Sequence, residues 1–334
     1  MAIIIAEAGV NHNGDLDRAL IMVEAAKDAG ADYIKFQTFK SDLLVTPEGK
    51  TAQYQKANCD ADSQIEMLRA LELSYEDFRT IALYCKDLGI GFLSTPFDME
   101  SIDFLASLGM DFFKVPSGEI TNLPYLRHIA ATGVAVIIST GMCDNSDIEK
   151  ALKVFYDAGY RSDRITLLHC TTEYPTPMQD VNLRAMQAMH EKYGLATGYS
   201  DHTKGIEVAV AATALGATVI EKHFTLDRSL PGPDHVASLE PDELARMVTA
   251  IHNVTEALGS PEKRVTDSER GNREVARKSI VAARDIKAGE VLTEENLTTK
   301  RPGKGLSPID WWDKIIGQPA VKDFPKDSLI TLNP

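Results

Sequence analysis

The amino-acid sequence predicts an α/β protein, with a (β/α)8 TIM barrel followed by a small β-rich C-terminal domain. Short apolar, β-branched runs alternate with stretches whose apolar residues recur every three or four positions, as in residues 16–30. About eight such strand–helix units fit into roughly 260 residues, which matches a barrel in number and length. The predicted strands are residues 3–6, 33–36, 91–94, 112–115, 134–139, 165–168, 196–199 and 218–220.

Glycine ends several of the predicted helices just before the next strand, as at Gly30, Gly89 and Gly133. Glycine suits this position because it readily adopts the left-handed conformation that closes a helix. An open, doubly wound sheet is the alternative arrangement of the same elements. No G-x-G-x-x-G motif follows the first strand and the sequence has no Walker A motif, which argues against the nucleotide-binding form of that alternative.

The pattern changes after the helix predicted for residues 241–258, so the barrel is assigned to residues 1–259. Residues 260–276 are polar and charged, which is typical of a linker. Short β-like segments follow from residue 277 to residue 334, and they include two similar turns, DIKAGE and DFPKDS. We predict that these residues form the small β-rich domain.

Composition limits the classes of partner. The net charge of −14 and the pI near 5.1 argue against nucleic acid, because a phosphate backbone requires a basic surface. A few converging lysines can still bind a small phosphorylated ligand. The 4 cysteines show no C-x-x-C spacing, which argues against a disulfide framework or a zinc knuckle. The N-terminal residues resemble neither a signal peptide nor a membrane span, so we expect a cytoplasmic protein without a membrane partner.

Polar and ionisable residues collect at the carboxyl ends of the predicted strands. Barrels of this class build their active sites from the carboxyl ends of the strands, whereas purely structural polar residues would be scattered. The sequence therefore predicts an active site at that end of the barrel. The candidate residues are Glu7, Lys35, Gln37, Thr95, Lys114, Ser117, Ser139, Thr172, Tyr174, Ser200, His202, His223 and Asp234.

His202 and His223 follow the seventh and eighth strands, so their side chains can meet at the barrel mouth. Two imidazoles that leave other coordination positions open suit a divalent cation. The alternative is that each histidine only forms hydrogen bonds at the end of its strand. Glu7 is a candidate base for a metal-bound water.

Lys35 and Lys114 lie at the ends of the second and fourth strands, where a buried ammonium group needs an anionic partner. With the neighbouring serine and threonine hydroxyls, they indicate a pocket for phosphate and carboxylate groups. The alternatives are salt bridges to Glu119 or Glu221, and a lysine that forms a Schiff base.

Ten short motifs, taken in order along the whole chain, resemble the bacterial sialic acid synthase family. Several of them are most similar to the legionaminic acid synthase branch. The motifs are EAGVNHNGDL (7–16), KFQTF (35–39), STPFD (94–98), PSGEITNLPYL (116–126), STGM (139–142), HCTTEYPTP (169–177), GYSDHT (198–203), EKHFTLD (221–227), GPDHVASLEP (232–241) and KRPGKG (300–305).

The resemblance implies a TIM barrel with an antifreeze-like (SAF) domain that caps the partner's barrel in a domain-swapped homodimer. It also implies condensation of phosphoenolpyruvate with an open-chain, N-acetylated mannosamine-type sugar, in which phosphate is released by C–O cleavage. The expected cofactor is a divalent metal, Mn²⁺ or Mg²⁺. The favoured product is N,N'-diacetyllegionaminic acid.

The resemblance further implies individual roles at the matching positions. His202 and His223 would bind the metal, and Glu7 would contact the metal-bound water and the sugar. Asn13 lies in a turn that shapes its loop, and Thr172 replaces an asparagine of the neuraminate enzymes. The expected phosphoenolpyruvate pocket is Lys35, Thr95, Lys114, Ser117, Ser139, Thr172 and Ser200. The expected sugar-binding residues are Gln37, Tyr174, Asp234 and Arg301 of the partner subunit.

Three other functions remain open at this point. An N-acetylneuraminate synthase would use N-acetylmannosamine as acceptor. Another phosphoenolpyruvate-condensing enzyme or metal-dependent aldolase with a phosphorylated acceptor would need an additional cationic pocket, and no arginine cluster follows the barrel strands. An inactive barrel with a sugar-binding small domain would release no phosphate.

Overall fold

The computed structural model of the protein describes residues 1–46 and 63–333. The chain divides into two compact units, Met1–Gly259 and Ser260–Pro334. In the described part of the chain, no helix combines the length and the apolar character needed to cross a membrane.

The first unit is built around an 8-stranded parallel sheet with the hydrogen-bonded order β3-β2-β1-β8-β7-β6-β5-β4. The two strands at the ends of this order, β3 and β4, also contact each other, so the sheet closes into a barrel. The predicted (β/α)8 fold is confirmed. The strands are β1 (Ile3–Gly9), β2 (Tyr33–Thr38), β3 (Gly91–Pro96), β4 (Phe112–Val115), β5 (Ala135–Ser139), β6 (Ile165–His169), β7 (Ala196–Asp201) and β8 (Val219–His223).

Helices connect the strands, and their ends follow local sequence signals. Before one of them, Ser74 accepts a hydrogen bond from the Asp77 backbone while the Asp77 carboxylate accepts one from the Ser74 backbone. The same helix ends at Gly89, which has the left-handed conformation expected from its glycine (φ 70°). The helices are α1 (Leu16–Asp28), α2 (Ser41–Leu44), α3 (Gln64–Leu71), α4 (Tyr75–Leu88), α5 (Met99–Leu108), α6 (Leu123–Thr132), α7 (Asn145–Asp157), α8 (Arg184–Tyr193), α9 (Glu207–Ala214) and α10 (Pro241–Leu258).

The core of this unit lies inside the barrel and between the barrel and its helices. Ile4, Phe36, Phe113 and Ile138 are fully buried there. Strands buried on both faces read as nearly continuous apolar runs, which is why the sequence shows them clearly. Because apolar side chains fill this core, polar side chains concentrate at the strand ends.

The second unit contains β9 (Ser279–Ala282) paired antiparallel with β10 (Leu297–Lys300). Helix α11 (Asp267–Ala276) lies within the segment 260–276 that the sequence predicts as a linker. Helix α12 (Pro308–Ile315) was not predicted, because the sequence analysis found only short β-like segments in this region.

The two similar turns of the second unit pair with each other. The backbones of Ile286 and Phe324 exchange two hydrogen bonds, of 2.9 and 2.8 Å. Asp285 accepts a hydrogen bond from the backbone of the second turn, and Asp323 accepts one from the first, each at 2.8 Å. The DIKAGE and DFPKDS similarity therefore reflects two turns with equivalent roles.

Candidate active site

A cavity of about 560 Å³ opens at the carboxyl end of the barrel strands. Each barrel strand ends at or beside it, so residues far apart in the sequence converge there. All of the barrel residues that the sequence predicts for the site line this cavity. Arg301 lies in the second unit, where its side chain is exposed.

Two buried lysines form ion pairs inside the cavity. Lys35 Nζ lies 2.5 Å from Glu7 Oε2 and 3.7 Å from Glu221 Oε2, and it donates to Thr95 Oγ1 at 2.9 Å. Lys114 Nζ donates to Glu221 Oε1 at 3.0 Å. The predicted salt bridge to Glu221 is therefore present.

The other predicted salt-bridge partner, Glu119, makes a local hydrogen bond instead of a salt bridge to either lysine. Its carboxylate accepts a hydrogen bond from Asn122 at 2.7 Å, in the turn before α6. Glu221 instead accepts a further hydrogen bond, from Ser200 Oγ at 2.7 Å. Glu221 thus joins both lysines and one of the predicted hydroxyl donors into one cluster.

The electrostatics of this cluster favour an anionic ligand. Burial raises the pKa of Glu7 to about 7, although Lys35 acts against this shift. Burial also acts to raise the pKa of Glu221, but Lys114 and Lys35 outweigh it and hold that pKa well below the usual range. Burial acts to lower the pKa of Lys35, but Glu221 and Glu7 outweigh it and raise that pKa. At neutral pH Lys35 is therefore charged and Glu7 is partly protonated.

Hydroxyl groups line the cavity beside the lysines. Ser117 Oγ accepts from the Gly141 backbone at 2.9 Å. A Cβ atom at Gly141 would lie 2.7 Å from Thr172 Cγ2 and 2.8 Å from Ser117 Oγ. Glycine at this position therefore allows the loops that carry Ser117, Gly141 and Thr172 to approach one another. Ser139 Oγ is buried and has no hydrogen-bond partner among residues 1–46 and 63–333. A buried hydroxyl without a partner on a cavity wall is a donor available to a ligand.

The two histidines lie side by side, with ring centroids 5.4 Å apart. His202 Nδ1 lies 2.6 Å from the Thr171 carbonyl oxygen, which only accepts, so Nδ1 carries the proton and Nε2 the lone pair. His223 Nδ1 is buried 3.8 Å from Asp234 Oδ2 and makes no hydrogen bond within the described chain. The Tyr174 ring lies 4.2 Å from the His202 ring.

These histidines fit a divalent cation. Burial lowers the pKa of His202 to about 4 and that of His223 well below its usual range, so both rings are neutral and keep a lone pair for a metal. The described residues contain no group of three or more histidine, cysteine or acidic side chains arranged for a metal. A cation held by these two imidazoles would therefore keep positions open for water or substrate.

A third part of the cavity surrounds Gly9, whose φ of 54° lies in the left-handed region. A Cβ atom there would lie 3.3 Å from Gln37 Nε2, 3.3 Å from Glu7 Oε1 and 3.5 Å from Asp234 Oδ2. Three polar side chains therefore converge over a position that only glycine leaves open. Burial raises the pKa of Asp234 to about 6.

One wall of the cavity was not predicted from the sequence. It is apolar, and it comes largely from the connection between β2 and β3. The only signal in the sequence is the length of that connection, which contains α2 and α3 in addition to the usual helix, α4. The residues of this wall are Val10, Phe39, Leu44, Val45, Met67, Leu68 and Leu71.

The sequence model of the NeuB family matches residues 22–263, and that of the SAF domain matches residues 277–333. The protein belongs to the NeuB family. Both the predicted family and the SAF domain are confirmed.

Relatives within the NeuB family cover nearly the whole chain. The N,N'-diacetyllegionaminic acid synthase of Campylobacter jejuni is 50% identical over 329 residues, which are 98% of each chain. The enzyme of the same name from Legionella pneumophila is 51% identical and covers 92% of this chain and 87% of its own. A crystal structure of the sialic acid synthetase of Leptospira borgpetersenii, in complex with citrate, has a TM-score of 0.71 at 36% identity, covering 81% of this chain and 90% of that one.

Proposed function

We propose that this NeuB-family protein condenses phosphoenolpyruvate with an open-chain, N-acetylated hexosamine and releases phosphate. The favoured product is N,N'-diacetyllegionaminic acid, in line with the two relatives that are half identical to this chain. The observation that carries the proposal is the pairing of a lysine and hydroxyl cluster with two neutral, buried imidazoles in one cavity.

The lysine cluster is suited to phosphoenolpyruvate, which carries a phosphate and a carboxylate. Charge-assisted hydrogen bonds to such groups are stronger than neutral ones, and they gain further in a water-poor cavity. Ser139 Oγ has a free donor, and Lys35 and Lys114 are buried with carboxylates that an entering anion would compete with. The proposed pocket is Lys35, Thr95, Lys114, Ser117, Ser139, Thr172 and Ser200.

His202 and His223 would hold the divalent metal, Mn²⁺ or Mg²⁺. When bound there, such a cation supplies Lewis acidity at the aldehyde oxygen of the acceptor. The protein keeps both rings neutral by burial, and it fixes the tautomer of His202 through the Thr171 carbonyl.

Two buried carboxyl groups serve the proton transfers. C3 of phosphoenolpyruvate bonds to the aldehyde carbon, water adds at C2, and the C2–O bond to phosphate breaks. Glu7, with a pKa of about 7, would orient that water and take its proton. Asp234, with a pKa of about 6, keeps a protonated fraction at neutral pH and would protonate the new alkoxide.

The acceptor would be bound by Gln37, Tyr174 and Asp234, together with Arg301 of the partner subunit. The proposal thus includes a cytoplasmic, domain-swapped homodimer with a barrel (1–259), a linker (260–276) and a capping domain (277–334). Mixing an Arg301→Ala protein with a Lys114→Met protein, at a phosphoenolpyruvate concentration too low for the Lys114→Met protein to act alone, tests whether Arg301 serves the partner's barrel. Mixed dimers should regain activity if the arginine acts across subunits, and no recovery would contradict it.

Acceptor choice is tested by phosphate release with N-acetylmannosamine and with its 2,4-diacetamido-2,4,6-trideoxy analogue, each assayed with and without Mn²⁺. The proposal expects metal-dependent release with the diacetamido sugar and at most weak release with N-acetylmannosamine. Comparable efficiency with N-acetylmannosamine would make the protein an N-acetylneuraminate synthase. No release with either sugar would contradict the proposal.

A further inference from the structure

The loop that carries Asp234 is tied to the loop after β1. Asn13 Nδ2 donates to the Pro231 carbonyl at 2.8 Å, and Asn13 Oδ1 lies 3.1 Å from His235 Nε2. His235 Nδ1 lies 2.7 Å from Thr225 Oγ1. Two side chains thus connect segments that are more than 200 residues apart in sequence.

These contacts define the state of His235. An amide oxygen only accepts, so His235 Nε2 donates to Asn13 and Nδ1 accepts from the Thr225 hydroxyl. Burial lowers the pKa of His235 to about 4, which keeps the ring neutral in this arrangement. A Cβ atom at Gly232 would lie 2.6 Å from the His235 ring, so glycine is needed for the loop to pass this close.

The other side of Asp234 is tied to the same loop. Ser238 Oγ donates to the Asp234 carbonyl at 2.7 Å and accepts from Asn11 Nδ2 at 3.0 Å. Asn11 also donates to the Phe224 carbonyl at 2.9 Å. Since Glu7 lies on β1 and Asn11 follows that strand, these bonds link the segment that carries Glu7 to the segment that carries Asp234.

We infer that Asn13 and His235 are positioning residues that hold Asp234 over the acceptor end of the cavity. They touch neither the lysine cluster nor the histidine pair, so they set the geometry at the acceptor and leave phosphoenolpyruvate binding unaffected. The inference rests on the proposed role of Asp234. Displacing a reacting group by about 1 Å can cost up to about 100-fold in rate.

The test compares four single variants in steady-state kinetics. The amide of asparagine reaches about as far as Nδ1 of histidine, and that of glutamine about as far as Nε2. His235→Asn therefore keeps the hydrogen bond to Thr225 and loses the one to Asn13, whereas His235→Gln keeps the hydrogen bond to Asn13. Asn13→Ala removes the hydrogen bond between Asn13 and His235 by deleting its acceptor. His128→Gln is the matched control, because His128 pairs with Asp103 at 2.7 Å on the exposed surface of α6.

We expect Asn13→Ala and His235→Asn to lower kcat/KM for the acceptor about tenfold or more, with the KM for phosphoenolpyruvate within about twofold. The Asn13→Ala, His235→Asn double variant should lose no more than Asn13→Ala alone, because Asn13→Ala already removes the contact that His235→Asn removes. His235→Gln should recover most of the activity, and His128→Gln should match the wild type.

Equal losses for both substrates, additive losses in the double variant, or a His235→Gln enzyme as slow as His235→Asn would overturn the inference. If Asn13→Ala does not fold, the two His235 variants decide alone. A wild-type enzyme without phosphate release would refute the proposed function and this inference with it. An active wild type with unaffected variants would refute the inference only.

Discussion

Replacing Lys222 by methionine would remove the positive half of a fully buried ion pair on the helix-facing side of the barrel strands. Lys222 Nζ lies 2.8 Å from Asp201 Oδ2, and both side chains have 0% exposure. Lys222 also donates to the Thr203 carbonyl, while Asp201 Oδ1 accepts from the Thr203 backbone and hydroxyl. The pair therefore joins the ends of β7 and β8, next to the two histidines.

The cost of this substitution follows from the burial of the partner. Removing one member of a buried ion pair leaves the other uncompensated, which typically costs about 3–5 kcal/mol. For a unit of this size, 1 kcal/mol corresponds to about 2–4 °C in Tm, so Lys222→Met should lower Tm by roughly 6–20 °C. The Asp201→Asn, Lys222→Met double variant should lose less, because it buries no unpaired charge.

Thermal unfolding followed by circular dichroism measures these losses. Lys153→Met is the matched control, because the Lys153–Asp157 pair has the same 2.8 Å distance but 73% and 63% exposed side chains. This exposed pair should contribute less than about 1 kcal/mol. A Lys222→Met protein as stable as the control, or a double variant less stable than the single one, would refute the reasoning.

Three further predictions concern the cavity and its rim. His223→Gln should raise the dissociation constant for Mn²⁺ at least about tenfold in titration calorimetry; unchanged affinity would remove His223 from the metal site. Lys114→Met should raise the KM for phosphoenolpyruvate by about 10–100-fold, and an unchanged KM would contradict its role. Burial acts to raise the pKa of Glu72, but hydrogen bonds from Ser41 and the ion pair with Lys40 outweigh it and lower that pKa. The stability from Glu72 is thus present above about pH 4.5 and lost at lower pH, so the Tm deficit of Glu72→Gln should shrink between pH 7 and pH 3.5; a constant deficit would contradict this sign.

The position of the site could be predicted because the fold determines it. Once eight parallel strands were recognised, residues near the carboxyl ends of different strands, such as Lys35 and His223, had to meet at one end of the barrel. The sequence also indicated which residues are polar there. Neither inference required knowledge of side-chain conformation.

Contacts that depend on side-chain conformation could not be predicted. Glu119 was as plausible a partner for the lysines as Glu221, but its carboxylate turns to Asn122 in the next turn of the chain. The partnership of Lys35 with Glu7 depends on the register of β1 and β2, in which these two residues are paired. That register includes a bulge between Glu7 and Gly9, where Gly9 has a left-handed φ of 54°, but a glycine alone does not fix which residues pair.

The packing of α2 and α3 against the cavity could not be predicted from the sequence either. The apolar wall formed by α2 and α3 contains no motif, because contacts such as that of Met67 need only an apolar side chain of suitable size. Helix α12 has only 8 residues, too few for a clear helical period, although Ser307 and Pro308 are typical of a helix start.

The central claim is a condensation in which the bond between C2 and the bridging oxygen of phosphoenolpyruvate breaks. Phosphoenolpyruvate labelled with ¹⁸O at that bridging position tests it directly, with the diacetamido acceptor and Mn²⁺ present. The account predicts that the label leaves with inorganic phosphate, and that the new sugar acid takes its C2 oxygen from water. Label retained in the sugar acid, or phosphate released without a new carbon–carbon bond, would contradict it.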